Sequence, residues 1–149
     1  ALYDKMGNLE EAEYYIQRAL ELNEDNAEYY TNSTYYFLKQ MKFEEAIKSL
    51  SRLVELKPLV FNTWFAYVET LIAIGEYEQA IAVIISGALK NFNRAEFFYQ
   101  LSNVYYLTDQ DQLGNEALSN ALSLDRNIKD MMIEHYPILQ EKIEHLNQK

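Results

Sequence analysis

The chain has 149 residues and a formal net charge of −10, from 13 Lys and Arg against 23 Asp and Glu. With no Lys/Arg cluster in the sequence there is no basic face to displace counterions from phosphate, which argues against nucleic acids and disfavours anionic membrane surfaces as partners. There is no cysteine, hence no disulfide or thiol nucleophile, and no apolar run approaches the roughly 20 residues of a membrane-spanning helix.

Hydrophobic content of 49% with only 4 Gly and 2 Pro predicts helices joined by tight turns. Residues 1–5 read as the end of a helix that starts before Ala1, so the chain is expected to be a fragment of a longer array. Gly7-Asn8 turns the chain, and residues 9–22 form a partner helix with Leu9, Ala12, Ile16, Ala19 and Leu20 at helical spacing. Residues 27–60 hold a first helix carrying Tyr30, Ser33, Thr34 and Phe37, and a turn near Met41. The second helix carries Phe43, Ala46, Ile47, Leu50, Leu53 and Val54. Lys57-Pro58 closes it, because the residue before a proline is pushed out of the helical region. Residues 61–94 carry Trp64 early, a turn at Gly75, then Tyr77, Ala80 and Ile84. Residues 95–128 carry Phe98, Leu101, Ser102 and Tyr105, then an irregular turn, Asp109-Gln110-Asp111. Gly114, Leu118 and Ala121 follow; a glycine inside a helix costs about 1 kcal/mol relative to alanine. Pro137 divides the remainder into short helices over residues 129–136 and 138–146, the second with a polar surface that suits an end cap.

A small residue recurs every 34 positions: Ala12, Ala46, Ala80, Gly114. The same step links Tyr30, Trp64 and Phe98. It links Tyr3, Phe37, Leu71 and Tyr105, and also Ile16, Leu50, Ile84 and Leu118. A last column holds Ala19, Leu53, Gly87 and Ala121. Helix pairs with this period and this pattern of small and aromatic residues resemble the tetratricopeptide repeat. The resemblance covers residues 1–128 and departs at Tyr67 and Val68, where the family has Leu followed by a small residue. It implies an all-α fold: a right-handed α-solenoid of antiparallel helix pairs, forming one domain. The expected divisions are a partial repeat at 1–26, repeats at 27–60, 61–94 and 95–128, and a C-terminal cap at 129–149. That is about three and a half repeats. The 13 Tyr and 7 Phe are expected to pack between helices, where rings bury large areas.

No arrangement of residues points to catalysis, a cofactor or a metal. Asp109, Asp111 and Gly114 hint at a calcium loop, but the fifth and twelfth ligand places fall on Leu113 and Asn120. Glu141 and His145 are one helical turn apart, but zinc needs a third protein ligand. Asn32-Ser33-Thr34 matches a glycosylation sequon but lies within a helix. The glycines are isolated, so none forms a phosphate loop.

What the resemblance leaves is a groove. In tetratricopeptide proteins the first helix of each pair lines the concave face, where partner peptides bind. Repeat register assigns Glu28, Thr31, Tyr35, Leu38 and Lys39 to that face in one repeat. It assigns Asn62, Phe65, Glu69, Ile72 and Ala73 in the next, and Glu96, Tyr99, Asn103, Tyr106 and Leu107 in the third. Tyr35, Phe65, Glu69, Tyr99, Asn103 and Tyr106 are the candidate contacts. Rings flanked by acid favour a protein or peptide with apolar side chains and basic character. Chaperone-binding members clamp a terminal carboxylate with Lys, Asn and Arg. Here the corresponding places hold Thr31, Tyr35, Asn62 and Ala66, then Phe65, Glu69, Glu96 and Gln100, so that class of partner is disfavoured. The second reading is a structural module that self-associates through its N-terminal face.

Overall fold

A computed structural model describes Tyr14, Arg18 and residues 26–148. Every regular element among the described residues is helical. The turn at Gly7, the column members Tyr3, Ala12, Ile16 and Ala19, and the N-terminal face lie outside the described residues. The chain forms two compact units, Ala1–Thr70 and Leu71–Lys149.

In the first unit, α1 (Ala27–Lys39) starts where the Asn26 side chain accepts hydrogen bonds from the backbone N–H of Glu28 and Tyr29, at 3.0 and 3.4 Å. Such a cap satisfies otherwise orphaned donors and is worth about 1 kcal/mol. Glu28 in the first turn and Lys39 in the last complement the helix dipole. Helix α2 (Phe43–Leu56) returns along α1 and packs on it. Phe37, Ala46, Leu50, Leu53 and Val54 are buried. A buried hydrogen bond of 2.8 Å joins the Ser33 and Ser49 hydroxyls across the pair, so Ser33 faces its partner helix. Helix α2 stops at Lys57, before Pro58. The Pro58 carbonyl then accepts a 2.7 Å hydrogen bond from the indole of Trp64, which pins the linker to the opening of α3 (Phe61–Ala73).

In the second unit, α4 (Tyr77–Val83) runs through a π-helical turn at Ile84–Ala88 into α5 (Leu89–Asn91). Helix α6 (Ala95–Leu107) packs against α7 (Asp111–Leu124), and α4 also contacts α6. A 3-10 turn at Arg126–Ile128, which the sequence pattern does not announce, leads into α8 (Lys129–His135). Pro137 then breaks the run as expected, and α9 (Ile138–Asn147) packs on α6 and α7.

The turns at Met41, Gly75 and Asp109 are one device. Met41, Gly75 and Asp109 all adopt left-handed backbone, with φ of 59°, 79° and 61°. In each, the next residue's N–H reaches back five positions: Lys42 to Phe37, Glu76 to Leu71 and Gln110 to Tyr105, at 2.8–2.9 Å. The left-handed residue donates to the carbonyl three back. This is the Schellman closure of a helix end. The Asp109 turn, irregular by its letters, therefore has the regular backbone. Aspartate tolerates that conformation better than most side chains.

One column needs correction. Leu53 and Ala121 are buried, but Gly87 is half-exposed and Ala88 is fully buried in its stead. The π turn inserts one residue and rotates the helix face after Ile84.

Candidate partner-binding surface

In α1, Thr31, Asn32, Tyr35 and Lys39 are exposed, while Ser33, Thr34, Tyr36 and Phe37 are buried. Tyr35 is 55% exposed. Its ring meets that of Tyr36 edge-on, with centroids 5.3 Å apart. The Lys39 ammonium lies 5.4 Å from the Tyr35 ring centre and donates to its hydroxyl at 3.5 Å. The exposed ring is thus contacted on two sides, by Tyr36 and by Lys39. In α3, Phe65 is half-buried and stacked on Phe61 at 5.9 Å, and Glu69 is half-buried. Tyr35 and Glu69 occupy the same place in successive repeats, 34 residues apart.

The second unit treats the corresponding positions differently. Tyr99, Asn103 and Tyr106 are 0%, 3% and 4% exposed, so as they stand they offer a ligand no surface. Tyr99 donates its hydroxyl to the Asp125 carbonyl at 2.9 Å. Burial pushes that phenol up to about 12, with a further push from the Asp125 charge against a pull from Arg126. Tyr106 leans over Gly114: a methyl group added there would come within 2.6 Å of the ring. Its hydroxyl donates to Asn115 Oδ1 at 2.6 Å, and the Lys142 ammonium sits 4.8 Å from the ring centre. Lys142 also pairs with Asp111 at 3.5 Å, tying α9 to the start of α7. Burial, and then the Asp111 charge, raise Tyr106 to about 12. The Gln100 amide donates to the Tyr136 hydroxyl at 3.2 Å, joining α6 to the end of α8. These large side chains are therefore absorbed into α6, α7 and the C-terminal helices.

A signal for this lay in the columns. Leu38 pairs with Ala46 and Ile72 with Ala80, but Tyr106 pairs with Gly114: the larger side chain appears where the small residue is smallest. Sequence reasoning missed two open hollows in the second unit. One, of about 540 Å³, is lined by Gln112, Asn115, Glu116, Ser119 and Asn120. The other, of about 330 Å³, is lined by Asn93, Phe98, Asn120, Ser123 and Leu124.

Residues 109–114 form the left-handed turn and the first turn of α7 rather than an open loop. Among the described residues, no three His, Asp or Glu side chains cluster to hold a metal ion, and no helix is long and apolar enough to cross a membrane.

The family model for the anaphase-promoting complex, cyclosome, subunit 3 matches residues 5–87, more than half of the chain. The chain belongs to that family. Over 65 residues this tetratricopeptide-repeat protein is 37% identical to the tetratricopeptide repeat-containing protein trd-1 of Caenorhabditis elegans, a stretch covering 43% of the chain and 8% of that relative. The chain thus spans under a tenth of that relative's length. Among solved structures it is similar to a crystal structure of MamA, with a TM-score of 0.67 at 17% identity over 99% of the chain and 95% of the neighbour. A second, MamA 41-end from Desulfovibrio magneticus RS-1, gives 0.67 at 20% identity over 98% and 86%. At such identities the likeness is one of fold: an α-solenoid of helix pairs. A fold of this family is a scaffold for protein interaction.

Proposed function

We propose that the chain holds a protein segment along α1 and α3, with Tyr35, Phe65 and Glu69 as the principal contacts. The observation that carries this reading is Tyr35. A large ring more than half exposed, braced by Tyr36 and Lys39, is the kind of pre-ordered aromatic anchor that dominates binding energy where proteins meet. Repeat register places it with Phe65 and Glu69 on the partner-facing side of successive first helices. Glu28, Glu69 and the net charge of −10 favour a segment with apolar side chains and basic residues. The matched family bears the name of a subunit of a multiprotein complex, which suits a scaffold that works inside an assembly. The divisions at 27–60, 61–94 and 95–128 belong to the same proposal, each being one helix pair in the solenoid.

The test is a pull-down from the source organism, followed by titration of the captured segment. Replacing Tyr35 and Phe65 together with Ala is expected to weaken binding by about 2–4 kcal/mol. The melting temperature should fall little, because neither ring is among the fully buried side chains. Raising salt should weaken binding further as the acidic contribution is screened. Unchanged affinity with an intact fold would move the site to another surface.

A further inference from the structure

The outward face of residues 77–91 differs from that of the equivalent helix one repeat earlier. In α2 the outward side chains include Lys48 and Arg52, and Arg52 pairs with Glu55 at 2.7 Å. Thirty-four residues on, the same positions hold Ala82 and Ser86, both exposed, and Ser51 has become Ile85, 47% exposed. From Gln79 to Leu89 there is no charged side chain at all. A surface helix ordinarily carries its charges on the solvent face. This one carries them only at its ends, Glu78 and Lys90. Among the described residues neither of these makes an ion pair. The π turn falls in the same stretch and sets Ile85 and Ser86 outward in succession. Such turns are rare and concentrate where a helix has a task besides packing.

We propose that this face docks on the same face of a second copy of the chain. The two helices run antiparallel, so that Glu78 of each copy lies opposite Lys90 of the other. Two arguments select a second copy over another occupant. Copies that each carry a charge of −10 repel one another over most of their surfaces, and an uncharged face is where they can approach. The face is also self-complementary, with an acid at one end, a base at the other and Ile85 near the middle. Turning one copy end for end sets acid on base twice, as a two-fold interface requires. Antiparallel alignment also brings opposite helix-dipole ends together. From Glu78 to Lys90 the face is about 18 Å long. A contact of that length falls below the roughly 1,200 Å² of a stable interface, so the dimer is weak and forms in about the micromolar range. The inference is independent of the partner surface on α1 and α3.

Sedimentation of the full chain over roughly two decades of concentration around that range tests it. The expected result is a concentration-dependent shift from monomer to dimer mass. Ile85→Asp, or Ala82→Lys with Ser86→Arg as the second repeat carries, should raise the dissociation constant at least about tenfold. Circular dichroism should be unchanged, because all three side chains face water. Glu78→Lys alone should dissociate the dimer by setting two bases opposite each other, and Glu78→Lys with Lys90→Glu should restore it. The Tyr35 and Phe65 double variant should dimerise normally. A chain that stays monomeric throughout overturns the proposal, as does a dimer that survives Ile85→Asp. A reversed pair that fails to restore association rules out the antiparallel arrangement.

Discussion

The left-handed residue of each turn illustrates how one backbone requirement is met by different side chains. Gly75 adopts φ of 79° without a steric penalty, and a methyl group there would meet nothing within 4 Å. Met41 adopts φ of 59° and carries the cost that a Cβ brings to that region. Met41→Gly should therefore stabilise the fold by about 0.5–1 kcal/mol, the relief of strain being partly offset by glycine's extra freedom in the unfolded chain. Asp109→Gly should gain less, because aspartate is already tolerated there. Urea midpoints of the two variants give the comparison, and equal gains would show that side-chain identity is immaterial at this turn. Gly114 works the other way. Its replacement by Ala favours the helix by about 1 kcal/mol in intrinsic propensity. The added methyl meets a Tyr106 ring that is buried and hydrogen-bonded, so Gly114→Ala should be net destabilising by about 1–2 kcal/mol. Gly114→Ala with Tyr106→Leu, which reproduces the Leu38 and Ala46 pairing, should recover that loss. Failure of the double variant to recover would separate the two residues energetically.

At the scale of the element, helix existence and the turn positions were legible because period, small residues and proline agree on them. Lys57-Pro58 and Pro137 stop helices where their chemistry says they must. The π turn was not legible, for a specific reason. Residues 77–91 form a run one residue longer than Phe43–Leu56, while the linker that follows, Phe92-Asn93-Arg94, is one residue shorter than Lys57-Pro58-Leu59-Val60. The two changes cancel, so the 34-residue period passes through undisturbed and only the burial of Gly87 and Ala88 reveals the slip. Upstream of that turn the columns keep their meaning. Ala80 is fully buried in α4, and Ala46 is fully buried in α2. Ala80→Leu should therefore overpack the second unit and cost about 1–3 kcal/mol. Thermal denaturation checks it, and an unchanged midpoint would place Ala80 against open space.

Over the whole molecule, repeat register predicts which side of a helix a residue occupies but not whether that side stays open. Tyr35 and Tyr99 are both assigned to the partner face. One stands exposed and the other is sealed: the Asp125 carbonyl takes its hydroxyl, and α9 and the turn before α8 pack on the last helix pair. That sealing has a consequence in alkaline solution. Tyr99 and Tyr106 are both raised from 10.0 to about 12, so the folded chain keeps two phenolic protons that the unfolded chain releases near pH 10. A group held protonated in this way contributes stability that is complete below pH 10 and is lost as pH rises toward 12. The net charge of −10 adds self-repulsion of the same sign as further tyrosines ionise. The expected result is a melting temperature with no tyrosine-linked loss up to about pH 10 and a steep fall above it. Phenolate absorbance from the sealed pair should appear together with loss of helical signal. Tyr99→Phe with Tyr106→Phe removes both protons from the balance. It should lower stability at neutral pH by about 1–3 kcal/mol through the hydrogen bonds to Asp125 and Asn115, and it should flatten the alkaline fall. If the double variant lost stability above pH 10 as steeply as the parent, the alkaline transition would belong to general charge repulsion and not to these two buried rings.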